Sequence, residues 1–289
     1  MITLFSLGNP SAGKATHMKD IFVEGQTLPE VYHKGIVALS THGQLADCSD
    51  WNLKDLASYS QLECRMTLHI EEPLKEPRIS KCIICGPREL EQYRLEILDG
   101  LLDFAVDVQV ERNGALEPLE DYTYHHRMTR PVDQLDFIVN ELRRNPQMSS
   151  RRAVIGIRDN QRDSLLQNPA CLQSLQFFVR QGKLDLCVMF RSNDFAQAFF
   201  MNAFGLICLQ ERVAGQLGIP VGTYAQTSNS MHVYEQNLEM FAAFASRIAS
   251  EPLEALTYDY EGFFKQMMDD EREGILEDFR RQRAKHGLE

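Results

Sequence analysis

Residues 175–217 read LQFFVRQGKLDLCVMFRSNDFAQAFFMNAFGLICLQERVAGQL and contain the two elements from which the rest of the architecture follows. Two short apolar runs, 175–180 and 184–191, flank the turn Gln181-Gly182-Lys183, and this arrangement predicts a β-hairpin. The stretch 195–217 is apolar on nearly every side for its first four turns, which predicts a long buried helix. A hairpin packed against a buried helix is the nucleus of a mixed α and β structure.

The flanking sequence predicts further helices and strands around this nucleus. Helical spacing of apolar residues, or alternation with a period of two, marks six more segments: helices over 84–104, 131–145, 236–249 and 260–284, a short strand over 153–157, and either a strand pair or a strand and loop over 221–234. The last helix is rich in charge, which predicts exposure. The elements mix without a regular βαβ rhythm, so we expect an α+β fold with a mixed sheet and a buried central helix. No linker divides the chain, so we expect one domain over 1–289.

Composition and charge exclude several classes of function. The chain has 289 residues, 44% hydrophobic and 25% charged, and a formal net charge of −11. That charge disfavours binding to nucleic acid or to an anionic membrane surface. Seven scattered cysteines, an odd number, favour reduced thiols. The first ten residues lack the features of a signal peptide, and the most apolar stretch, 195–209, is too short to span a bilayer, so we expect a cytoplasmic protein.

Two short motifs suggest chemistry that the rest of the chain does not support. The segment from Gly8 to Thr16 nearly spells a phosphate-binding loop, but Ala15 stands where a magnesium-binding hydroxyl is needed. Cys82 and Cys85 have the spacing of half a zinc site, yet no second ligand pair follows. We therefore interpret the first as an ordinary loop and the cysteines as structural thiols, and we expect no metal site.

A series of polar residues between 150 and 234 has the composition of a nucleotide site. Guanidinium groups bind phosphate, an amide reads a base edge, and hydroxyl or imidazole groups bind a sugar. The members are Ser150-Arg151-Arg152, Cys171 after Asn168-Pro169, Arg191-Ser192-Asn193-Asp194, Asn202 within the buried helix, and His232-Val233-Tyr234. The set therefore has what a nucleotide monophosphate site requires.

This series resembles the thymidylate synthase superfamily, which includes the deoxycytidylate, deoxyuridylate and cytidylate hydroxymethylases. The resemblance covers about residues 90–240, within a family-matching core of about 85–250, and is closest to the hydroxymethylases. It rests on Ser-Arg-Arg, the loop cysteine, the run from Gln176 to Leu184, Arg-Ser-x-Asp and His-x-Tyr. A thymidylate synthase-like fold is implied.

The resemblance also implies a role for each residue of the series. Cys171 would be the nucleophile that adds to C6 of the pyrimidine, and Asp194 would lie beside the pterin and relay protons. The remaining roles are a catalytic Tyr122, phosphate binding by Arg191 and Ser192, phosphate binding in a partner subunit by Arg151 and Arg152, base recognition by Asn202, and sugar binding by His232 and Tyr234. For the family's catalytic glutamate, an ungapped alignment gives Tyr93 and a short deletion gives Glu96, which we favour because a general acid or base is otherwise missing.

Departures from the family concern the residues that shield the folate from water. The family's folate site uses tryptophans, and Trp51 lies outside the aligned block. Water capture, which gives a hydroxymethyl group, is therefore favoured over hydride transfer, which gives a methyl group. We expect 5-hydroxymethylation of dUMP, CMP or dCMP with 5,10-methylenetetrahydrofolate as co-substrate. Asn202 leans toward uracil without excluding cytosine.

The same residues leave alternative functions open. A true thymidylate synthase and a non-catalytic, nucleotide-binding relative both share the phosphate arginines. The resemblance implies a homodimer with shared active sites, a pyrimidine nucleoside monophosphate as ligand, and neither nucleic acid nor membrane as partner.

Overall fold

The structure is a computed structural model that describes residues 18–47, 60–112, 114–144 and 150–288. Within these residues the strands are β1 (Asp20–Gly25), β2 (Gln44–Asp47), β3 (Ser60–Ile70), β4 (Ile79–Ser80), β5 (Gln109–Arg112), β6 (Ala115–Pro118), β7 (Val154–Gly156), β8 (Leu172–Arg180), β9 (Lys183–Phe190), β10 (Asn193–Asp194), β11 (Val221–Tyr234) and β12 (Thr257–Tyr258). The α-helices are α1 (Leu28–His42), α2 (Pro87–Asp99), α3 (Phe104–Asp107), α4 (Tyr124–Thr129), α5 (Gln134–Arg144), α6 (Asn160–Asp163), α7 (Phe199–Leu217), α8 (Leu238–Ser250) and α9 (Lys265–Lys285).

A mixed sheet with the strand order β1-β3-β11-β9-β8-β7 forms the centre of the described structure. β2 also pairs with β3, and β10 with β11. β1 runs parallel to β3 and β11 parallel to β9, whereas β3–β11 and β8–β9 are antiparallel. The predicted α+β class with a mixed sheet and a buried helix is confirmed. Because β3 pairs with β11, the strands β1, β2 and β3 belong to the same sheet as the family-like core, although the single-domain assignment stays a prediction.

The β8–β9 hairpin follows the sequence prediction closely. Its connection is the two residues Gln181 and Gly182, both with positive φ (50° and 74°), so Lys183 already belongs to β9. Such a turn matches the twist of the paired strands. The alternate residues of β9 that were predicted to share a face are all buried: Leu184, Leu186, Val188 and Phe190. The hairpin thus places its apolar face on the core.

Helix α7 crosses the core as predicted, but it begins at Phe199 rather than 195. The carboxylate of Asp194 accepts hydrogen bonds from the backbone N–H groups of Ala196 and Gln197, at 2.9 and 3.0 Å. These bonds hold residues 195–198 in a separate turn before the helix. The helix ends at Gly218, which has a φ of 69°, as the sequence predicts.

β11 is one strand of fourteen residues, where the sequence allowed a strand pair or a strand and loop. Its pairing with β3 shifts between Ser228 and Met231, so three steps along β11 match two steps along β3. This β-bulge places one extra residue in the strand. The bulge explains why the alternation of the sequence is interrupted without the chain turning back.

The terminal helix differs from its prediction. Met268, Ile275 and Phe279 of α9 are buried, and salt bridges join it to α2, including Arg88 to Glu271 at 3.0 Å. The prediction of an exposed helix is therefore wrong for one face of α9. The charged residues on its other face dominate the composition of the segment, and they hid the buried apolar face in the sequence. The phosphate-loop-like segment 8–16 and Trp51 lie outside the described residues.

Candidate active site

The loop that carries Cys171 is fixed by Arg191. Cys171 is partly exposed and directly precedes β8, whose first residue pairs with the end of β9. The backbone N–H of Arg191 donates to the carbonyl of Cys171 at 2.8 Å. Its guanidinium donates to the carbonyls of Pro169 and Ala170, at 2.7 and 3.2 Å. The guanidinium of Arg191 therefore places a permanent positive charge on the loop that carries the thiol.

Two tyrosines from the segment before α4 meet the same loop. The Tyr122 hydroxyl has a backbone hydrogen bond from Cys171, and the Tyr124 hydroxyl accepts one from the N–H of Leu172 at 3.4 Å. Burial is the main cause that raises the pKa of Tyr122 to about 12, and burial also raises that of Tyr124. Both hydroxyls are therefore protonated near neutral pH. Tyr122 was predicted from the sequence, whereas Tyr124 was missed, although the Tyr-Thr-Tyr alternation was a signal for it.

Helix α2 contributes Tyr93 and Glu96, the two alternatives for the family's glutamate. The Tyr93 hydroxyl donates a hydrogen bond to Oδ1 of Asn202 on α7. Glu96 lies almost one helical turn further on and accepts a hydrogen bond from Nε2 of Gln92 at 2.9 Å. Burial raises the pKa of the Glu96 carboxyl, and the nearby charge of Glu120 adds to this effect. A carboxyl with a raised pKa suits proton transfer, but the catalytic role of Glu96 stays a prediction.

Two neighbouring cavities share Tyr93 and Glu96 as wall residues. The first, of about 360 Å³, is lined by Tyr93, Glu96, Ile97, Leu102, Glu120, Asp121, Tyr122, Thr123, Tyr124 and Asn168. The second, of about 370 Å³, is lined by Ile84, Cys85, Glu89, Gln92, Tyr93, Glu96, Gln197 and Met201. Several ionisable and hydrogen-bonding groups thus face the space near Cys171.

The predicted phosphate and sugar residues meet where β10 joins β11. Asp194 pairs with His232 across these strands, and Ser192 Oγ lies 3.5 Å from Nδ1 of His232. The rings of His232 and Tyr234 meet edge to face, with centroids 4.7 Å apart. Burial raises the pKa of Asp194, against the opposing effects of its backbone hydrogen bonds and His232. Ser192, Asp194, His232 and Tyr234 are therefore brought together, as the sequence predicted.

Asn202 is buried on α7 and joins this group to the tyrosines. Besides accepting from Tyr93, it donates from Nδ2 to Oδ1 of Asn193 at 3.4 Å. Both of these hydrogen-bond partners of the buried amide are side chains.

Arg151 and Arg152 are exposed and lie away from Cys171 of the same chain. They precede β7, in which Val154 pairs with Gln176 of β8. Gln176 is five residues along β8 from Cys171, which corresponds to about 16 Å. Instead, Nη1 of Arg152 lies 3.7 Å from Oε1 of Glu141 in the same chain. One chain alone does not bring these arginines to its own thiol.

The other sequence motifs give no second centre. Burial raises the pKa of Cys85 to about 12 and that of Cys82 as well, as expected for structural thiols. Among residues 18–47, 60–112, 114–144 and 150–288, no group of three potential metal ligands occurs. The same residues contain no helix that is both long and apolar enough to cross a membrane.

The mixed sheet and the buried central helix agree with the fold that the sequence resemblance implies. The chain belongs to the thymidylate synthase family, because the family model described as thymidylate synthase matches residues 87–280. Asn202, Cys171 and the residues around them all fall within the matched range.

Individual relatives agree with this family assignment. A protein named "Putative thymidylate synthase" from Methanosarcina barkeri is 28% identical over 221 residues, which cover 75% of this chain and 91% of the relative. A protein of the same name from Methanocaldococcus jannaschii is 40% identical over 128 residues, or 39% of this chain and 55% of the relative. The solved structure of thermostable thymidylate synthase A from Bacillus subtilis has a TM-score of 0.56 at 20% identity, covering 76% of this chain and 84% of that one. The last match shows the shared fold.

Proposed function

We propose that this protein transfers a one-carbon unit to C5 of a pyrimidine nucleoside 5′-monophosphate. The observation that carries the proposal is the environment of Cys171. Its loop is held by the guanidinium of Arg191, and its backbone meets the protonated hydroxyl of Tyr122. A partly exposed thiol on a loop that a guanidinium holds in place is suited to covalent addition to C6 of the ring.

The nucleotide would bind along the edge where β9, β10 and β11 meet. Arg191 and Ser192 would bind the 5′-phosphate, while His232 and Tyr234 would bind the sugar. This assignment fits the spacing between Ser192 and His232 and the edge-to-face pair of His232 and Tyr234. Asn202 would then meet the base, deeper in the core.

The first chemical stage would be shared by all members that use this thiol. Addition of Sγ to C6 makes C5 nucleophilic, and bound 5,10-methylenetetrahydrofolate supplies the one-carbon unit. Asp194 belongs to the same group of residues, and burial raises the pKa of its carboxyl, which makes it a candidate proton carrier. Loss of the C5 proton together with departure of tetrahydrofolate would leave an exocyclic methylene group on C5.

We propose that water completes the reaction and gives a 5-hydroxymethyl product. The cavity beside Cys171 is lined by Glu96, Glu120, Asp121, Thr123 and Asn168, which are groups that retain water. Glu96 would accept a proton from the attacking water, and Cys171 would leave as C5–C6 unsaturation is restored. Hydride transfer to give a methyl group is the second candidate, because the relatives are named thymidylate synthases.

A homodimer with shared active sites would complete the phosphate site. Arg151 and Arg152 are exposed and apart from Cys171 in one chain, so they would serve the partner. Strand register places Phe22 and Met189 on one face of the sheet. The exposed fraction is 63% for Phe22 and 43% for Met189. Thr67 and Thr227 lie between them in the same cross-strand row, so two large exposed apolar side chains and two threonines form the surface through which the two sheets would associate.

Product analysis tests the proposed function. The purified protein is incubated with methylenetetrahydrofolate and dUMP, UMP, dCMP or CMP, and the nucleotide product is identified by mass. A hydroxymethyl product that takes its oxygen from labelled water supports water capture, and a methyl product with dihydrofolate supports the second candidate. Nucleotide binding without exchange of the C5 hydrogen would instead indicate a non-catalytic relative. The Cys171→Ser variant is the control for each reaction.

A further inference from the structure

A buried ion pair joins the helix that carries Tyr124 to the segment that leads to Cys171. Arg127 lies on α4 and Asp163 at the end of α6, and Nη2 of Arg127 donates to Oδ1 of Asp163 at 2.7 Å. Only 6% of the Arg127 side chain and 0% of the Asp163 side chain is exposed. The two helices are therefore held at a fixed distance, because their separation would leave two unpaired charges in the core.

The same guanidinium also holds the start of α6. Nη1 of Arg127 lies 3.2 Å from Oδ2 of Asp159. Oδ1 of Asp159 caps the helix by accepting from the backbone N–H groups of Gln161 and Arg162, at 3.0 and 3.2 Å. The backbone N–H of Asp159 donates in turn to Oδ2 of Asp163 at 3.0 Å. One arginine thus fixes both ends of this short helix.

The loop between α6 and Cys171 is held at two points, each by an arginine. Arg127 binds Asp163 at the start of the loop, and Arg191 binds two backbone carbonyls near its end. Tyr122 contacts both points. Its ring centroid lies 5.9 Å from Cζ of Arg127, and its hydroxyl has a backbone hydrogen bond from Cys171. The place of this hydroxyl relative to the thiol loop therefore depends on the buried pair.

We infer that Arg127 and Asp163 act together as positioning residues, which hold the Tyr122 hydroxyl against the loop of the nucleophile. This inference rests on the proposed function and deepens it. The oxygen of Tyr122 accepts the N–H of Cys171, so its own hydrogen remains available for donation to the bound base. Burial, followed by the nearby charges of Cys171 and Asp163, raises the pKa of Tyr122 to about 12, which keeps that hydrogen in place.

Replacement of both charges tests the pair without leaving one of them unpaired. Arg127→Met/Asp163→Asn removes the ion pair, and the asparagine can still accept the N–H of Asp159. We expect kcat for release of tritium from a C5-labelled nucleotide to fall about 10- to 100-fold, since small displacements of reacting groups have costs of this size. KM for the nucleotide should stay within about threefold, because Ser192, His232 and Tyr234 are held by β10 and β11.

A neighbouring arginine supplies the matched control. Arg162 is 64% exposed and lies 3.8 Å from Asp159, so Arg162→Gln removes a charge from α6 without touching the buried pair. It is expected to keep both kcat and KM. An unchanged kcat in the double variant, or an equal fall in this control, would overturn the inference.

A double-mutant cycle with Tyr122→Phe separates positioning from a general loss of structure. If the pair acts through the Tyr122 hydroxyl, its removal should cost about threefold or less in the Tyr122→Phe background. The same factor in both backgrounds would contradict the positioning role. Should Arg127→Met/Asp163→Asn fail to fold, Arg127→Lys is measured in the same cycle, because lysine keeps the charge but lacks the fork that reaches both carboxylates.

Fluorine NMR of the fluorotyrosine-labelled protein follows Tyr122 without catalysis. Its signal is identified by its loss in Tyr122→Phe, and it is expected to shift or broaden in the pair variant but not in Arg162→Gln. An unmoved signal in the pair variant would overturn the inference. A moved signal in a protein that releases no tritium from any of the four nucleotides would overturn the proposed reaction and leave the positioning of Tyr122 in place.

Discussion

The candidate site consists of two groups of residues, which differ in what holds them in place. The sheet wall, formed by Cys171, Arg191, Ser192, Asp194 and His232, is held by backbone hydrogen bonds, strand register and the guanidinium of Arg191. The tyrosine wall, formed by Tyr93, Glu96, Tyr122 and Tyr124, contacts its neighbours through side-chain hydroxyl and carboxyl groups.

The difference explains where the sequence departs from its family. A residue whose backbone is held by hydrogen bonds keeps its place when a neighbouring side chain changes. This agrees with the sequence resemblance, in which the residues of the sheet wall follow the same order as in the family. On the tyrosine wall a single substitution changes the contact itself, because each contact is made by a side-chain group. We infer that the nucleotide side of the reaction is fixed by the fold, while the one-carbon side is set by a few replaceable groups.

The largest effect is expected from the sheet wall, at the nucleophile. Cys171→Ser is expected to reduce tritium release from C5 by at least about 10³-fold, because a neutral hydroxyl is a far poorer nucleophile than a thiolate. Nucleotide binding, measured by titration calorimetry, is expected to remain close to that of the unaltered protein. Release at a near-normal rate would eliminate the covalent mechanism.

Subunit mixing tests whether the sheet wall is complete within one chain. Cys171→Ala and Arg152→Ala are each expected to be inactive alone. A one-to-one mixture is expected to recover about a quarter of full activity, because half of the dimers are hybrids and each hybrid has one intact site. Activity is measured after subunit exchange has been verified with differently tagged chains. No recovery despite exchange would show that Arg152 does not serve the partner's site.

The tyrosine wall is tested next, through Glu96. Glu96→Gln is expected to slow product formation by about 10²-fold, the usual contribution of a general base. The raised pKa of Glu96 means that protonation begins at a higher pH than for an ordinary carboxyl, and the protonated form is inactive as a base. Activity of the unaltered protein should therefore fall as pH decreases through this raised pKa, and the Gln variant should lack that fall.

The control for Glu96 lies on the same helix. Asp99→Asn alters an exposed carboxylate that bonds Arg212 and lies outside the residues that line the cavity. It is expected to keep both the rate and the pH profile. If Glu96→Gln behaves like Asp99→Asn, the general base lies elsewhere.

Much of the sheet wall could be predicted from sequence, because its signals are local. The turn at Gln181-Gly182 and the alternation in β9 define the hairpin, and the residues of the wall follow at fixed distances from it. The bulge in β11 could not be predicted, since alternation on both sides of Ser228 is the same whether the strand bends or turns back. Pairing of β3 with β11 was also hidden, because it joins residues more than 150 positions apart.

The tyrosine wall shows the limit of reasoning from sequence more clearly. Tyr93 and Glu96 were both identified, but the choice between them depends on how α2 packs against α7. The space that Gly205 leaves for a ring decides that contact, and a glycine within an apolar run gives no indication of its partner. Tyr124 was missed because its hydroxyl reaches the backbone of Leu172, which no residue type reveals.

The smallest effect is expected from a change of geometry in the tyrosine wall. In Gly205→Ala the new methyl group would displace the Tyr93 ring by a few tenths of an ångström. We expect kcat/KM to fall about three- to tenfold, since small displacements of positioning groups have measurable costs. Thermal stability should change little, because the better helix propensity of alanine, about 1 kcal/mol, offsets the crowding.

A second glycine of the same helix supplies the control. A Cβ at Gly215 would meet nothing within 4 Å, so Gly215→Ala is expected to keep kcat/KM and to raise stability slightly. Equal kcat/KM in the two variants would show that the wall tolerates such displacement.

Because of the bulge in β11, the way in which this strand is paired matters as much as the identity of its residues. Met231 and Val233 pair with β3 after the extra residue, and His232 and Tyr234 follow from that shifted register. Because side chains alternate across a strand, the same fourteen residues paired without the bulge would place every side chain after Ser228 on the opposite face. A descendant of this chain that retained all of these residues but paired the strand regularly would then turn the proposed sugar-binding pair away from the site.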